Sequence, residues 1–390
     1  MRLAIPLAST LFATTPVFAA YNLVKEYSGT NFFDGWEFYG NYDNLTNGDV
    51  TYVDQANATS SKLAYVNDAG HAIIKVDDTS FVPYNYKRNS VRIETKDYFP
   101  LGTVLLFDAT HLPFGCSVWP SFWTKGPNWP DGGEIDIIEA VNLMPANQMA
   151  IHTLSGCTQS GTDCSQGAGC TVGEKADNSY GSAFASAGGG VWATQFDTTG
   201  INIWFWSRKD VPSDVTSATN TVDPSSWGTP SAQYSTSSCD VSKFFTPQQL
   251  VINIALCGDW AGLANVYQQT CGGDGSQTAC YLDNVINNGT NYADAFFEIS
   301  YVKAFSSSSD TLVATVSAGT TVLATATPES TSAAGTGTVS GSAAASSSTG
   351  NAAGSGSDGS SGSNGAVINT RNYIAVAAAG LLSLFTWAMI

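Results

Sequence analysis

Positive charge is scarce in this chain: 15 Lys and Arg stand against 32 Asp and Glu, a formal charge of −17 over 390 residues. That balance excludes nucleic acid as a partner, because phosphate contacts need a basic face. A neutral polymer is not repelled. Histidine is sparse as well, with His71, His111 and His152 far apart in sequence, and no two cysteines form a CxxC pair. A zinc site is excluded on those grounds. Without a dense run of oxygen ligands, no metal and no required cofactor is expected either. From Ser306 to Thr370 there is no Lys, no Arg and no aromatic residue, while Ser, Thr, Gly and Ala dominate. Such a segment cannot bury enough apolar surface to offset its conformational entropy, so residues 306–363 are expected to form an extended, O-glycosylated stalk.

Long apolar runs occur at the two ends. Met1-Arg2-Leu3 places one positive charge before an apolar stretch to Phe18, and Val17-Phe18-Ala19 offers small residues for cleavage. Residues 1–19 therefore read as a secretory signal peptide. At the other end, Tyr373 to Ile390 is uncharged and mostly apolar, and the small-residue stretch Gly362-Ser363-Asn364-Gly365-Ala366 precedes it. Small site, polar spacer and greasy tail read as a glycolipid (GPI) attachment signal, with Ser363 or Asn364 as acceptor and residues 364–390 removed. The alternative is a retained tail helix. The expected product is a monomer at the cell surface, held to the outer leaflet by lipid alone and open to transfer into a cell wall. Asn44, Asn57 and Asn288 head N-glycosylation acceptors if exposed, which fits that route.

One folded domain remains, residues 20–305, and it holds all eight cysteines. An even number in a secreted chain implies disulfides, and eight allow 105 connectivities; spacing singles out Cys271 with Cys280 as a local loop. Val91–Thr95, Thr103–Phe107, Met149–Thr153, Ile201–Trp206, Leu250–Leu256 and Phe297–Val302 are short, alternating or β-branched, and separated by Gly, Pro, Asn, Asp and Ser clusters. That pattern predicts an all-β, antiparallel jelly-roll sandwich with few helices. A concave face rich in Trp and Tyr suits an extended sugar chain, because pyranose C–H faces pack on aromatic rings. Trp204 and Trp206 share one face of their strand and belong either to such a groove or to the core.

Chemistry concentrates in Trp129-Pro130-Asp131-Gly132-Gly133-Glu134-Ile135-Asp136-Ile137-Ile138-Glu139-Ala140. On a helix Glu134 and Glu139 would diverge by about 140°. On a strand Glu134 and Asp136 share a face, and strict alternation would put Ile138 there in place of Glu139. One β-bulge between Asp136 and Glu139 brings all three acids to one side. The glutamate Cα atoms are then about 13 Å apart, and side chains leaning inward reach the ~5–5.5 Å carboxyl separation of a retaining glycosidase. One glutamate attacks as a carboxylate, the other serves as acid and then base, and Asp136 drives their pKa values apart. Spacing leaves the order of the two open. Read structurally, the same residues would be a solvated acidic edge strand, but Ile135, Ile137 and Ile138 imply a buried opposite face.

The run Glu134-Ile135-Asp136-Ile137-Ile138-Glu139 resembles the E-x-D-x-x-E signature of family 16 glycoside hydrolases. The flanking segments His111 to Trp123, Val141-Asn142, Gln148, His152-Thr153 and Cys257 to Gly262 are similar to fungal laminarinase-type endo-β-1,3(4)-glucanases over residues 21–304. The resemblance implies Glu134 as nucleophile, Glu139 as acid/base and Asp136 as their helper. It also implies Trp119, Trp123 and Trp260 as sugar platforms, and Asn142 and His152 as polar contacts to a β-glucan. Two rivals remain: a wall transglycosylase, in which an acceptor sugar replaces water, and a non-catalytic glycan-binding protein on a stalk. Wall cross-linking members of the family typically look like E-x-D-x-E, so the spacing here favours hydrolysis. Three acids converging on one strand count against a pure binding module.

Overall fold

Each of the six segments with strand character lies, to within one residue at an end, in a strand of the computed structural model, which describes residues 20–308, 312–317 and 320–325. The expected leader and the attachment segment with Ser363 and Asn364 lie outside the described residues. Side-chain alternation sorts polar from apolar. In Gln248–Leu256, Leu250, Ile252, Ile254 and Leu256 enter the main core, while Asn253 and Ala255 line a cleft on the other face.

Two nine-stranded sheets result among the described residues. One runs through Thr221–Val222, Tyr21–Ser28, Phe296–Ser306, Thr103–His111, Gly190–Asp197, Gly200–Ser207 and Ala232–Ser235. The other runs through Cys170–Gly173, Gln148–His152, Glu134–Glu139, Val118–Lys125, Gln248–Leu256 and Arg92–Phe99. Apolar faces of both meet in the main core, where Phe107 of the first stacks on Phe122 of the second with ring centroids 4.4 Å apart. Truncating Phe122 to Ala would cost about 3–5 kcal/mol, transfer plus cavity. This is the antiparallel jelly-roll sandwich that the alternation predicts. Helices are short, and among the described residues none is long and apolar enough to cross a membrane.

The first sheet also buries its outer face. Val104, Leu106, Val191, Ala193 and Trp204 pack there beneath Val215, Ala218 and Trp227. Trp204 and Trp206 meet Trp227 edge-on at 5.3 and 5.5 Å. The pair thus belongs to this second core and not to a sugar groove.

Two expectations are corrected. Cys271 does not pair with Cys280: the bonds are Cys116–Cys271, Cys157–Cys239, Cys164–Cys170 and Cys257–Cys280. The helix Ala264–Cys271 ends beside the turn before Val118–Lys125, so Cys271 meets a partner 155 residues away instead of one nearby. The start of the expected stalk is folded as well. Leu312–Ser317 and Thr320–Thr325 form an antiparallel pair, and Ala314 joins Tyr98 at the edge of the second sheet. Alternating Thr and Val give that stretch strand propensity, and Val313 and Ala314 are buried. Asn44, Asn57 and Asn288 are all exposed, as glycosylation requires.

Candidate active site

The acidic strand Glu134–Glu139 sits between Val118–Lys125 and Gln148–His152. Its register to the first neighbour runs Glu134↔Lys125 and Asp136↔Trp123, then slips to Ile138↔Phe122 and Glu139↔Ser121. The bulge therefore falls between Asp136 and Glu139, where the acid spacing predicts it. Ile137 and Ile138 are both fully buried in the core, which leaves the cleft face to Glu134, Asp136 and Glu139.

Asn147 closes the bulge. Its Oδ1 accepts from the Glu139 N–H at 2.9 Å, and its Nδ2 donates to the Ile137 carbonyl at 2.9 Å. At the strand's other end Gly133 has φ +78°, and a Cβ there would fall 2.3 Å from the Phe245 ring. Only glycine fits both demands.

The two glutamates stand in different electrostatic surroundings. Burial raises the pKa of Glu134, but His152, a hydrogen bond from Trp129 Nε1, a hydrogen bond with Asp136 and the Lys125 ammonium all pull it back down. Glu139 has one such support, Trp119 Nε1 donating to its Oε1 at 2.8 Å; burial outweighs it, Glu134 adds repulsion, and the pKa is pushed up to about 7. Asp136, 3% exposed, is held well above the carboxylate range by burial and then by both glutamates. That shift favours its protonated form, which can donate to Glu134. His152 lies opposite Glu134 in register, with Nε2 3.5 Å from Asp136 Oδ2, which has no hydrogen-bond partner. Glu134, Asp136 and His152 offer ligand atoms within 4.8 Å of one another, so this corner could receive a cation; the same atoms make up the acid network.

Trp119 and Trp123 line the cleft at 8% and 7% exposure. Trp123 Nε1 donates to Asn253 at 2.7 Å, which fixes that ring in place. Asp43, Tyr52, Arg92, Ser121, Trp129 and Asn253 also line it.

Residues 36–305 match the profile described as the XgeA-like catalytic domain of glycoside hydrolase family 16. The chain belongs to that family. A "probable endo-1,3(4)-beta-glucanase" of Aspergillus fumigatus is 37% identical over 303 residues, which is 73% of this chain and 45% of that protein. The chain thus spans about half the length of that relative. Laminarinase 16A of Phanerochaete chrysosporium, solved with 6-O-glucosyl-laminaritriose in donor and acceptor sites, aligns at TM-score 0.68 and 33% identity, covering 74% of this chain and 100% of that one. An elongating family 16 β-1,3-glucosyltransferase aligns at TM-score 0.67 and 35% identity, covering 73% and 100%.

Within this family 16 cleft the expected binding residues separate. His152 joins the acids. Trp260 is half-buried and packs edge-on at 5.6 Å against Trp119, a residue of the lining. Asn142 is a correction: it is 1% exposed, its Oδ1 accepts from Ser117 N–H at 2.8 Å and its Nδ2 donates to Ala261 O at 3.0 Å. With both ends of its amide engaged, it ties two loops together and contacts no substrate.

Other cleft residues carried no nomination from sequence. Trp129, 40% exposed, donates to Glu134, and its place beside the Pro130–Gly133 turn was the available signal. Arg92 stacks on Tyr39 at 4.4 Å and bridges Glu94 at 2.6 Å, and Glu94 in turn bonds Lys125 at 2.8 Å. Arg92 and Asn253 reach the cleft only through strand pairing at long range, for which sequence holds no local mark.

Proposed function

We propose that the protein cuts β-1,3- and mixed β-1,3/1,4-glucans within the chain, with net retention, and that Glu134 is the nucleophile and Glu139 the acid/base. The contrast between the two carboxyls carries this assignment. Glu134 has four groups that favour its anion, whereas Glu139 is pushed to about 7 and holds a proton at mildly acidic pH. In the first step the Glu134 carboxylate attacks the anomeric carbon while Glu139 protonates the departing glycosidic oxygen. In the second, Glu139 takes a proton from water, which displaces Glu134 and releases the sugar. In its protonated form, which burial favours, Asp136 donates to Glu134 and adds no third negative charge to the cleft. Trp119 and Trp123 offer ring faces to the sugars, and His152 offers a polar contact.

A second reading, elongating transfer, is favoured by one observation: a family 16 glucosyltransferase is as similar to this chain as a laminarinase is. There an acceptor sugar takes the place of water at the second step. The remaining rival, a non-catalytic binder, has no use for a carboxyl held near 7 beside one whose anion four neighbouring groups support. Secretion, N-glycosylation at Asn44, Asn57 and Asn288, a stalk, and glycolipid anchorage at Ser363 or Asn364 complete the proposal, supported by the apolar ends and the exposed acceptors.

Product analysis on laminarin, barley mixed-linkage glucan, cellulose and chitin, with and without an oligosaccharide acceptor, tests the activity. Short oligosaccharides from the first two support hydrolysis, and chain-length exchange without new reducing ends supports transfer. No reaction on any of them would leave the binding role. Release of the protein from membranes by a phospholipase, as opposed to detergent alone, tests the anchor.

A further inference from the structure

Away from the cleft, exposed aromatic surface gathers in one short segment. Phe81 is 68% exposed, and Tyr84 and Tyr86 are each 65% exposed. Single exposed rings need no explanation, but a group of them does. A distant segment adds to the same surface: the Tyr281 ring meets Tyr84 edge-on at 6.2 Å and its hydroxyl donates to Tyr86 O at 3.0 Å, while the adjacent Leu282 is 42% exposed.

This surface is held rigidly. Val82 and Asn287 exchange backbone hydrogen bonds at 2.8 and 2.7 Å, which joins the two segments. Beneath them Arg88, fully buried, donates to the carbonyls of Asp77, Ser80, Val285 and Asn287 at 2.9 to 3.1 Å. A segment locked by its backbone keeps its rings in water, where they are available at little ordering cost.

The chemistry of the patch suits an uncharged sugar chain. Its charged neighbour Lys87 turns its ammonium onto the Gly48 carbonyl at 2.5 Å, leaving Phe81, Tyr84 and Tyr86 beside Pro83 and Asn85. Gly48 ends a loop whose Asp43, Leu45 and Thr46 line the catalytic cleft, and Gly48 N–H donates to Asp43 Oδ2 at 3.0 Å. Lys87 and Gly48 therefore tie the segment that carries the patch to a loop that lines the cleft.

We propose that this aromatic platform is a second β-glucan binding site, outside the catalytic cleft, which holds long-chain or particulate glucan while the cleft acts on it. The proposal rests on the glucanase reading above. Pyranose faces stack on Phe81, Tyr84 and Tyr86, and Tyr281 holds Tyr84 and the Tyr86 backbone in place.

The test compares the secreted full chain with two triple variants, one carrying Phe81→Ala, Tyr84→Ala and Tyr86→Ala, the other Phe81→Tyr, Tyr84→Phe and Tyr86→Phe. Depletion from solution by insoluble β-1,3-glucan particles is measured in a Glu134→Gln background, and kcat/KM is measured on a short β-1,3-oligoglucoside and on the polymer with Glu134 intact. The alanine variant should bind particles about tenfold more weakly and lose a similar factor on polymer, with the short substrate unaffected. The ring-retaining variant should match the parent. Equal particle binding by the alanine variant overturns the proposal, as does equal loss on short and long substrates. A change in molecular mass for the alanine variant would assign the patch to a second copy of the chain. New particle affinity in Asn288→Gln would mean that the protein's own glycan covers it. If the parent cuts neither substrate, the glucanase reading fails by itself, because particle depletion is read without turnover.

Discussion

Asn147 and Glu139 are joined by a hydrogen bond from the Glu139 N–H to the Asn147 side-chain oxygen, 2.9 Å long, and the same carboxamide donates to Ile137 O. The bulge that aims Glu139 into the cleft is thus pinned from outside the acidic strand. Asn147→Ala leaves a buried N–H and a buried C=O without partners, at a cost of about 1–3 kcal/mol each. We expect kcat to fall about 10- to 100-fold through misplacement of Glu139, with KM nearly unchanged. Asn147→Asp keeps the acceptor for Glu139 and should recover part of the rate; steady-state kinetics of both variants, with circular dichroism to confirm folding, decide it.

The pH profile of kcat/KM should be bell-shaped. Glu139 must be protonated for the first step, so activity falls as pH rises through about 7. Glu134 must be ionised, so activity also falls as pH drops through its own, upward-shifted pKa. Trp129→Phe removes a donor that favours the Glu134 anion and should move the acidic limb to higher pH while leaving the alkaline limb in place. An unmoved acidic limb would detach Trp129 from Glu134.

Glu134→Gln and Glu139→Gln should each lose about 100-fold or more on unactivated glucan. They part company on an aryl β-glucoside oligomer, whose phenolate needs no proton to leave. Glu139→Gln should still show a burst of phenol from the first step, and Glu134→Gln should show none. A burst from both, or from Glu134→Gln alone, would reverse the roles.

Stability carries the same signature. A carboxyl whose folded-state pKa lies above its unfolded value favours the fold at low pH, and that contribution disappears as pH rises through the folded value, here about 7. Glu139→Gln should therefore be close to the parent near pH 4 and more stable by about 1–3 kcal/mol at pH 8. Denaturant titrations at the two pH values measure the difference; equal gains at both would show that titration of Glu139 is not the cause.

The Cys116–Cys271 bond links the turn that begins the Trp119 strand to the helix beside Trp260. Replacing both cysteines by Ala should cost about 2–5 kcal/mol, since the bond closes a long loop. The Cys164–Cys170 bond spans 6 residues, and its removal should cost less, because loop-closure entropy grows with length. Melting of the two double variants without reductant compares them directly.

By itself the sequence determined whatever depends on neighbours along the chain. Alternation in segments such as Leu250–Leu256 implies a strand with one core face, and E-x-D-x-x-E cannot put three acids on one side of a strand without a bulge. Both follow from backbone geometry over a few residues. Tertiary structure decided what depends on which strands meet. Trp204 and Trp206 share a face in any strand, but only the covering segment with Trp227 makes that face a second core. Asn142 reads like a cleft residue until Ser117 and Ala261 take both ends of its amide. Cys271 lies 9 residues from Cys280 in sequence, yet a helix carries it to Cys116. The split between Glu134 and Glu139 is also tertiary, because burial and the approach of Trp129, His152 and Lys125 set it, and none of these is encoded in the spacing of two identical side chains.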